Sequence, residues 1–485
     1  MTQNTLYWHD YETFGLDPRR DRPVQFAGIR TDEELNIIGE PLNILARPAP
    51  DSLPHPISSL ITGITPQQAL EQGLPEAEFI ARILAELAQP GTCGVGYNSM
   101  RFDDEVTRNT LYRNLYDPYG REWQNGNSRW DLIDVVRACH DLRPEGIVWP
   151  QREDADRPSY RLEELTVANG IAHEQAHDAL ADVHATLAMA QLIRDKQPKL
   201  YDFLYQMRRK QAVLKYIDLK EMTPILHTSG MYGSDHGNTR MVVPLAAHPV
   251  NRNSIIVFDL SQDPALLLDH GVKTLTERLY TASEDLPEGV ERPALKQLLV
   301  NKCPVIAPTS TLTGEAAARL NIDIMACRQN RQRLLDARKE IQQKLGKIFE
   351  PREFEPVTDP DLMIYAGGFF DDKDKALMER VHQTPPDQLN GQGWNFSDER
   401  LGEMLFRYRA RNYPETLGPE DQARWLAHCR ARLLEGEAGH LSFAGFREEL
   451  NQLRAEVADD AGKQALLDEV EAFGQELERF VQARG

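Results

Sequence analysis

The sequence has 485 residues, of which 41 % are hydrophobic and 27 % charged, the balance of a soluble globular protein with room for two to four domains. It contains no apolar run of about 18 residues, so we expect no transmembrane helix and no membrane partner, and the N-terminus MTQNTLYWHDYET lacks the pattern of a signal peptide. The net charge of −20, taken alone, argues against a polyanionic partner.

The charge is unevenly distributed along the chain. Residues 1–195 carry 17 Lys+Arg against 31 Asp+Glu, residues 196–350 carry 22 against 17, and residues 351–485 carry 16 against 27. The first segment contains no lysine, and arginine is the cation that holds phosphate through two hydrogen bonds. A basic middle segment and local arginines fit chemistry on a nucleic acid, although an acidic surface that aids solubility explains most of the excess carboxylates.

The cysteines are few, odd in number and scattered: Cys93, Cys139, Cys303, Cys327 and Cys429. No CxxC pair occurs, which argues against a zinc cluster or a disulfide framework. This usage predicts a reducing, cytoplasmic location.

The first 195 residues begin with strands and end with helices. Strands are expected within residues 5–48 and again at 92–98, and helices at 66–88 (with Pro66 in the first turn), 102–112, 131–141, 161–169 and 178–194. This order predicts an α/β fold in which helices cover a mixed sheet.

After Gln197 and Pro198 the pattern changes. The runs TPILHTS, MVVPLA, SIIVFDL and LLVNKCPVIAP are β-prone and separated by polar turns, which predicts a small antiparallel barrel that closes with a helix at 324–347. From about residue 351 the chain is acidic and helical.

The motif Asp10-Tyr11-Glu12 is the most informative local feature. On a strand, residues two apart face the same side, so Asp10 and Glu12 place two carboxylates side by side. They repel each other unless a cation lies between them, and oxygen ligands favour magnesium or manganese. An exposed polar strand edge remains the alternative.

Two further motifs contain acidic residues at predicted helix starts. Asp103 follows the strand TCGVGYN, where it could serve only as a helix N-cap. In His177-Asp178-Ala-Leu-Ala-Asp182, Asp178 is a natural N-cap and Asp182 lies within the first two turns. His177, outside the helix, has a pKa suited to a general base for water, although a histidine beside a helix start is more often structural.

The three motifs together, in this order and spacing, resemble the DEDDh exonuclease family. Its four acidic positions fall on Asp10, Glu12, Asp103 and Asp182, and its histidine falls on His177. The resemblance implies an RNase H-like fold and catalysis by two magnesium ions, for which manganese can substitute. In that mechanism His177 takes the proton from the attacking water.

A longer resemblance, to the exodeoxyribonuclease I branch of that family, covers nearly the whole chain. It rests on HDYETFG, DRPVQFAGIRTD, LITGITPQ, GYNSMRFDDEVTRN, NSRWDLIDVVRAC, LRPEGIVWP, HDALADV, NKCPV, GNTR, HPVNRN and RARNYPETL. It implies an exonuclease domain at 1–195, an SH3-like barrel at 196–350 and a helical domain at 351–485. It also implies 3′→5′ degradation of single-stranded DNA to 5′-mononucleotides, a role in DNA repair and recombination, and a monomer.

The same resemblance implies a protein partner. The C-terminal tail of single-stranded DNA-binding protein is expected to dock near Arg143 in LRPEG. Phe203 stands where the family usually has a tyrosine in this region, which makes docking less secure than catalysis.

Single-stranded DNA is held by cations on its phosphates and aromatic rings under its bases. Arginines and aromatic residues alternate in the stretch 101–137, although a packed core with solvated arginines gives the same pattern. By resemblance we expect contacts from Arg108, Tyr119, Trp123, Arg137 and Arg161, with Lys210 and Asn253 in the barrel, and expect Glu12 to approach the terminal nucleotide.

Two other functions remain open at this stage. An oligoribonuclease or proofreading exonuclease has the same site, but these domains are usually shorter than this chain. A non-catalytic nucleic-acid adaptor is disfavoured because all five site residues are present.

Overall fold

The computed structural model describes residues 4–152, 157–173, 178–282, 284–352, 355–391 and 393–482. The chain divides into two compact units. The first comprises the described residues of 1–128, 173–184 and 355–485, and the second those of 129–172 and 185–354. In the part of the chain described, none of the helices combines the length and apolar character that crossing a bilayer requires.

The first unit begins with a mixed sheet and four helices. Their bounds are β1 Thr5–Thr13, β2 Pro23–Thr31, β3 Leu42–Leu45, α1 Pro56–Thr62, α2 Pro66–Gln72, α3 Glu76–Leu87, β4 Thr92–Gly96 and α4 Asp103–Arg113. Strands β3, β2, β1 and β4 are successive neighbours. Strand β1 pairs antiparallel with β2 and parallel with β4, which confirms the predicted mixed sheet.

Strand β1 is central, and its two faces differ. Tyr7 and Tyr11 point to one side, where they pack with Phe26, Phe79 and Ile80 in a buried core. Asp10 and Glu12 alternate with them and therefore lie on the other side. The aromatic face anchors the strand, so the acidic face is presented at a fixed position.

The helix predicted over 66–88 is in fact two helices. Helix α2 begins at Pro66 as expected, with the Thr65 side chain accepting a hydrogen bond from the Gln68 amide. Gly73, Leu74 and Pro75 then interrupt it. Proline has no amide hydrogen and its ring clashes with a preceding helical turn, so α3 restarts after Pro75.

The next elements are one strand and five helices, and α7 passes from the first unit into the second. Their bounds are β5 Ser128–Asp131, α5 Leu132–Leu142, α6 Leu162–Ala168, α7 Ala179–Lys196, α8 Pro198–Met207 and α9 Lys210–Leu214. Helices α5, α6 and α7 lie where the sequence predicts them, but it gave no helix at α8 or α9 and no strand at β5.

The second unit is built on an antiparallel sheet in the order β10-β6-β7-β8-β9. The bounds are β6 Ile225–Thr228, β7 Thr239–Ala247, β8 Ser254–Asp259, α10 Ala265–Asp269, α11 Val272–Tyr280, β9 Leu295–Leu299, β10 Val305–Pro308, α12 Gly314–Arg319, α13 Ile324–Asp336 and α14 Arg338–Ile348. The four predicted β-prone runs all contain strands. The single helix predicted at 324–347 is divided at Ala337.

The C-terminal part of the first unit is helical, as predicted. Its helices are α15 Asp372–Gln383, α16 Arg400–Asn412, α17 Pro419–Glu435, α18 Phe443–Glu456 and α19 Ala461–Gln482. Buried side chains of α16 to α19 pack around Leu53, while Tyr112 and Leu115 at the end of α4 pack with Leu401, Met404 and Tyr408. These helices thus share a core with the N-terminal sheet region.

A buried group of charges also joins these two parts of the chain. We call Asp51, Asp359, Asp361, Arg407, Arg411 and Arg432 the arginine–carboxylate cluster. Asp51 is fully buried and accepts hydrogen bonds from Arg411 at 2.9 Å and Arg432 at 2.8 Å. Arg407, Arg411 and Arg432 all pair with Asp361. Charges this deep are tolerated only when they are paired.

Candidate active site

The site is built first on the acidic face of β1. Asp10 and Glu12 are both half-buried and lie two residues apart on the same side of the strand. The register of β1 against β2 shifts between Glu12 and Thr13, directly after the second carboxylate. Pairing with β2 at both positions, and with β4 earlier in the strand, holds these two side chains in place.

Helix α4 brings a third carboxylate to the strand. Asp103 is the first residue of α4 and is buried, and its Oδ1 accepts a hydrogen bond from the Tyr11 amide at 3.1 Å. The Thr107 hydroxyl, one turn later, donates to the Tyr11 hydroxyl at 3.0 Å. Asp103 is therefore fixed against the backbone between Asp10 and Glu12.

Helix α7 supplies the fourth predicted carboxylate and a fifth beside it. Asp178 caps the helix, since its Oδ1 accepts a hydrogen bond from the Ala181 amide at 3.1 Å. The Asp182 amide donates to the Asp178 carbonyl at 3.0 Å, so Asp182 lies one turn into the helix. Sequence reasoning treated Asp178 only as a cap.

Asp10, Glu12 and Asp182 converge closely enough to bind a cation. Each offers one oxygen, and these oxygens lie within 4.8 Å of one another. Three carboxylate oxygens at this separation match the hard, oxygen-only environment that magnesium and manganese prefer. Residues from two distant stretches of the sequence thus form a single acidic centre.

The carboxylates of this centre repel one another. Burial, followed by repulsion from Asp103 and Glu12, raises the pKa of Asp10 well above its usual range. Burial and the neighbouring Asp182, Asp103 and Asp178 raise the pKa of Glu12 to about 8. A divalent cation would remove the repulsion between these groups, so the residues present fit such an ion.

Two residues that the sequence analysis did not identify hold this arrangement. Gln25 on β2 lies opposite Glu12 in the strand register; its side chain donates to Asp178 at 3.2 Å and accepts from the Ala179 amide at 3.3 Å. His173 Nε2 lies 2.6 Å from Asp182 Oδ1. Only the strand register and the tertiary structure reveal these contacts.

Family models cover almost the entire sequence. A model described as exonuclease matches residues 7–190, one described as exonuclease I SH3-like domain matches 208–351, and one described as exonuclease I C-terminal domain matches 358–477. Exodeoxyribonuclease I of Escherichia coli (strain K12) is 48 % identical over 476 residues, which cover 98 % of each chain.

The chain belongs to the exonuclease I family. The relationship extends to three dimensions: E. coli exonuclease I in complex with a dA16 oligonucleotide superposes with a TM-score of 0.94 at 47 % identity, covering 98 % of this chain and 100 % of that one. The zinc-bound form of the E. coli complex with single-stranded DNA gives a TM-score of 0.93 at 48 % identity, with the same coverage. The predicted combination of exonuclease, SH3-like and helical C-terminal domains is confirmed.

Exonuclease family members depend on divalent metals, and the acidic centre of this chain supplies a metal-binding group. The predicted general base, His177, lies outside the described residues. The position of the base therefore remains a sequence prediction.

Among the expected DNA contacts in the first unit, Arg108, Tyr119 and Trp123 differ in accessibility. Trp123 is 66 % exposed. Tyr119 is half-buried, beneath the Arg108 guanidinium at 5.4 Å from its ring centre. Arg108 itself is buried and forms two hydrogen bonds with Glu122, at 2.7 and 2.8 Å, so it already has a carboxylate partner.

The contacts expected in the second unit are similarly mixed. The Arg161 side chain is 69 % exposed, whereas Arg137 is largely buried and donates to Asp134 at 2.6 Å. Lys210 Nζ donates to Asn253 Oδ1 at 2.6 Å, which places these two predicted contacts side by side. The half-buried Arg143, expected at the partner site, directs its guanidinium to the Leu142 carbonyl.

Proposed function

We propose that this protein is a magnesium-dependent 3′→5′ exonuclease that degrades single-stranded DNA to 5′-mononucleotides, with Asp10, Glu12, Asp103 and Asp182 as its metal ligands. The observation that carries the proposal is the convergence of carboxylate oxygens from β1 and α7 within 4.8 Å, in a chain of the exonuclease I family. Its relatives' complexes with oligonucleotides support the substrate.

The carboxylates and His177 have different proposed roles in the reaction. Two bound magnesium ions would supply the Lewis acidity for phosphodiester hydrolysis, which the protein lacks without them. The carboxylates hold charge at fixed positions because β1, α4 and α7 are each fixed by packing or hydrogen bonds. His177, directly before Asp178, is proposed as the base that takes a proton from water, since the chain there precedes the capped helix.

We propose that the strand is held by the accessible members of the predicted contact set. Trp123 offers a ring for a base, and Arg161 a guanidinium for a phosphate. Lys210 and Asn253 form a joint donor group. Arg108 and Arg137, each paired with a carboxylate, are also proposed to contact the strand, as is Tyr119 beneath Arg108. Glu12 is proposed to lie beside the terminal nucleotide.

The proposed organisation and partner follow the family. We propose domain boundaries at 1–195, 196–350 and 351–485, a monomeric state and docking of the C-terminal tail of single-stranded DNA-binding protein near Arg143. None of the five cysteines, all of which the structure describes, forms a disulfide, which fits the proposed cytoplasmic location.

The decisive experiment compares strands labelled at the 3′ or the 5′ end, single or double, DNA or RNA, with Mg²⁺ or with chelator. We expect immediate release of labelled mononucleotide only from the 3′ end of single-stranded DNA and only with metal. Digestion that chelator does not affect would refute the metal site. Preference for short RNA would favour an oligoribonuclease, and binding without hydrolysis would favour an adaptor.

A further inference from the structure

Asp182 has a partner that is not one of the proposed metal ligands. The His173 imidazole is almost completely buried, with 1 % of its side chain exposed, and its Nε2 lies 2.6 Å from Asp182 Oδ1. A contact this short is typical of a hydrogen bond to a charged acceptor. A buried imidazole nitrogen would be costly without such a partner.

Asp182 can satisfy this hydrogen bond and still bind a cation. A carboxylate has two oxygens with several lone pairs, so Asp182 can accept from His173 through Oδ1 and still offer an oxygen to a cation. The hydrogen bond restricts rotation of the carboxylate about its side-chain bonds. The direction of the second oxygen is then determined by His173.

The backbone of α7 is held by other residues. Gln25 accepts from the Ala179 amide and donates to Asp178, and Asp178 in turn caps the helix. The start of α7 therefore has two attachments that do not involve His173. Loss of the imidazole is expected to remove one restraint on the Asp182 carboxylate without displacing the helix.

We propose that His173 is a positioning residue that orients the Asp182 carboxylate for divalent-metal binding. This role rests on the proposed function, because it requires Asp182 to be a ligand. It is distinct from the role proposed for His177, which acts on the proton of water. The two histidines lie four residues apart and are predicted to affect different measurements.

The test uses the full-length protein and Mn²⁺ alone as the probe, without DNA. Binding is measured by isothermal titration calorimetry and by the Mn²⁺ electron paramagnetic resonance signal. We expect His173→Leu to weaken Mn²⁺ binding by about 10–100-fold, the usual effect of removing a hydrogen-bond partner from a metal ligand. His173→Gln, which retains a donor at nearly the same reach, is expected to bind within a few-fold of the wild type.

Turnover separates positioning from other roles. With His173→Leu, the Mg²⁺ concentration for half-maximal activity should rise while activity at saturating Mg²⁺ largely recovers. With His177→Ala, the metal midpoint should remain unchanged while turnover falls. His184→Gln, at an exposed position on the same helix, is the matched control and should alter neither quantity.

Other outcomes overturn the proposal. Unchanged Mn²⁺ affinity in His173→Leu would remove the positioning role, provided that Asp182→Asn weakens binding. Loss of turnover in both His173 variants with normal Mn²⁺ affinity would make His173 the base instead. If wild type bound no Mn²⁺, or Asp182→Asn bound it normally, the proposed function would fail first. Circular dichroism checks folding, and His173→Asn replaces the leucine variant if that variant does not fold.

Discussion

The pKa values of two groups of carboxylates in the first unit are shifted in opposite directions. At the acidic centre, burial and mutual repulsion raise the pKa values of Asp10 and Glu12. In the arginine–carboxylate cluster, Arg411 is the strongest influence opposing burial, and the pKa values of Asp51 and Asp361 fall well below their usual range. Both groups consist of carboxylates shielded from solvent, but those of the cluster are paired with arginines, whereas those of the acidic centre lie beside other carboxylates.

The difference separates a binding site from a structural element. Carboxylates in the cluster already have permanent cationic partners, so they contribute to the cohesion of the fold. Those at the acidic centre are held together by β1, α4 and α7 despite their repulsion, and an incoming cation would relieve that repulsion. Strongly raised pKa values beside a specific geometry are a known mark of functional positions.

The largest expected effect is the loss of activity in Asp10→Asn. Metal ions contribute several kcal/mol to such reactions, so we expect turnover to fall by about 10³-fold or more. The variant's thermal stability without metal should equal or exceed that of the wild type, because one repelling charge is removed. Single-turnover digestion and melting in chelator test the two parts, and a strongly destabilised variant would contradict the comparison.

A smaller but still large effect is expected for Asp361→Asn. It leaves Arg407, Arg411 and Arg432 with less counter-charge, and breaking a buried pair costs about 3–5 kcal/mol. Urea unfolding should show this loss, with activity per folded molecule retained. Asp468→Asn is the control: its pair with Arg454 at 2.7 Å has 69 % of the aspartate exposed, and exposed pairs contribute about 0–1 kcal/mol. Equal losses in both variants would contradict the assignment.

The smallest effect concerns pH and metal together. Because the pKa of Glu12 is raised to about 8 in the folded protein, the folded state holds a proton that the unfolded chain releases from about pH 4.5 upward. Metal-free stability should therefore decline as pH rises through this window to about 8. Metal binding must displace that proton, so Mg²⁺ should raise the melting temperature more at about pH 9 than at about pH 6.

Melting scans with and without Mg²⁺ at the two pH values measure this difference, and Glu12→Gln should reduce it. Asp361 provides the opposite case. The pKa of Asp361 is lowered in the folded protein. Its contribution to the free energy of unfolding is therefore present above the ordinary aspartate pKa and is lost only in strong acid. A metal effect independent of pH would show that Glu12 ionises normally in the folded state.

The sequence predicted the elements that carry the site because their signals are local. Alternation in β1, the strand before Asp103 and the capped α7 can each be read within about a dozen residues. The sequence did not predict helices α8 and α9, because the β-prone runs that follow them gave the stronger signal. Pro75 divides the segment 66–88 into α2 and α3. The sequence prediction gave more weight to the helical pattern on both sides of this proline and therefore placed a single helix there.

The contacts that hold the site could not be predicted in this way. Gln25 contacts Asp178, 153 residues away, and that contact depends on the register of β1 against β2. Arg108 is of a residue type that commonly contacts phosphate, yet in the structure it pairs with Glu122. Which partner an arginine takes is decided by packing rather than by local sequence.

The arginine–carboxylate cluster has a consequence for how the protein is made. Asp51 is separated from Arg411 by 360 residues and from Arg432 by 381. Helices α16 to α19, which share a core with the N-terminal region, also lie far along the sequence from it. While the ribosome is still translating, the nascent N-terminal region lacks both partners. The cluster and the core that the first unit shares with α16 to α19 can therefore form only after those helices have been synthesised, so the folding of this unit is completed late in translation.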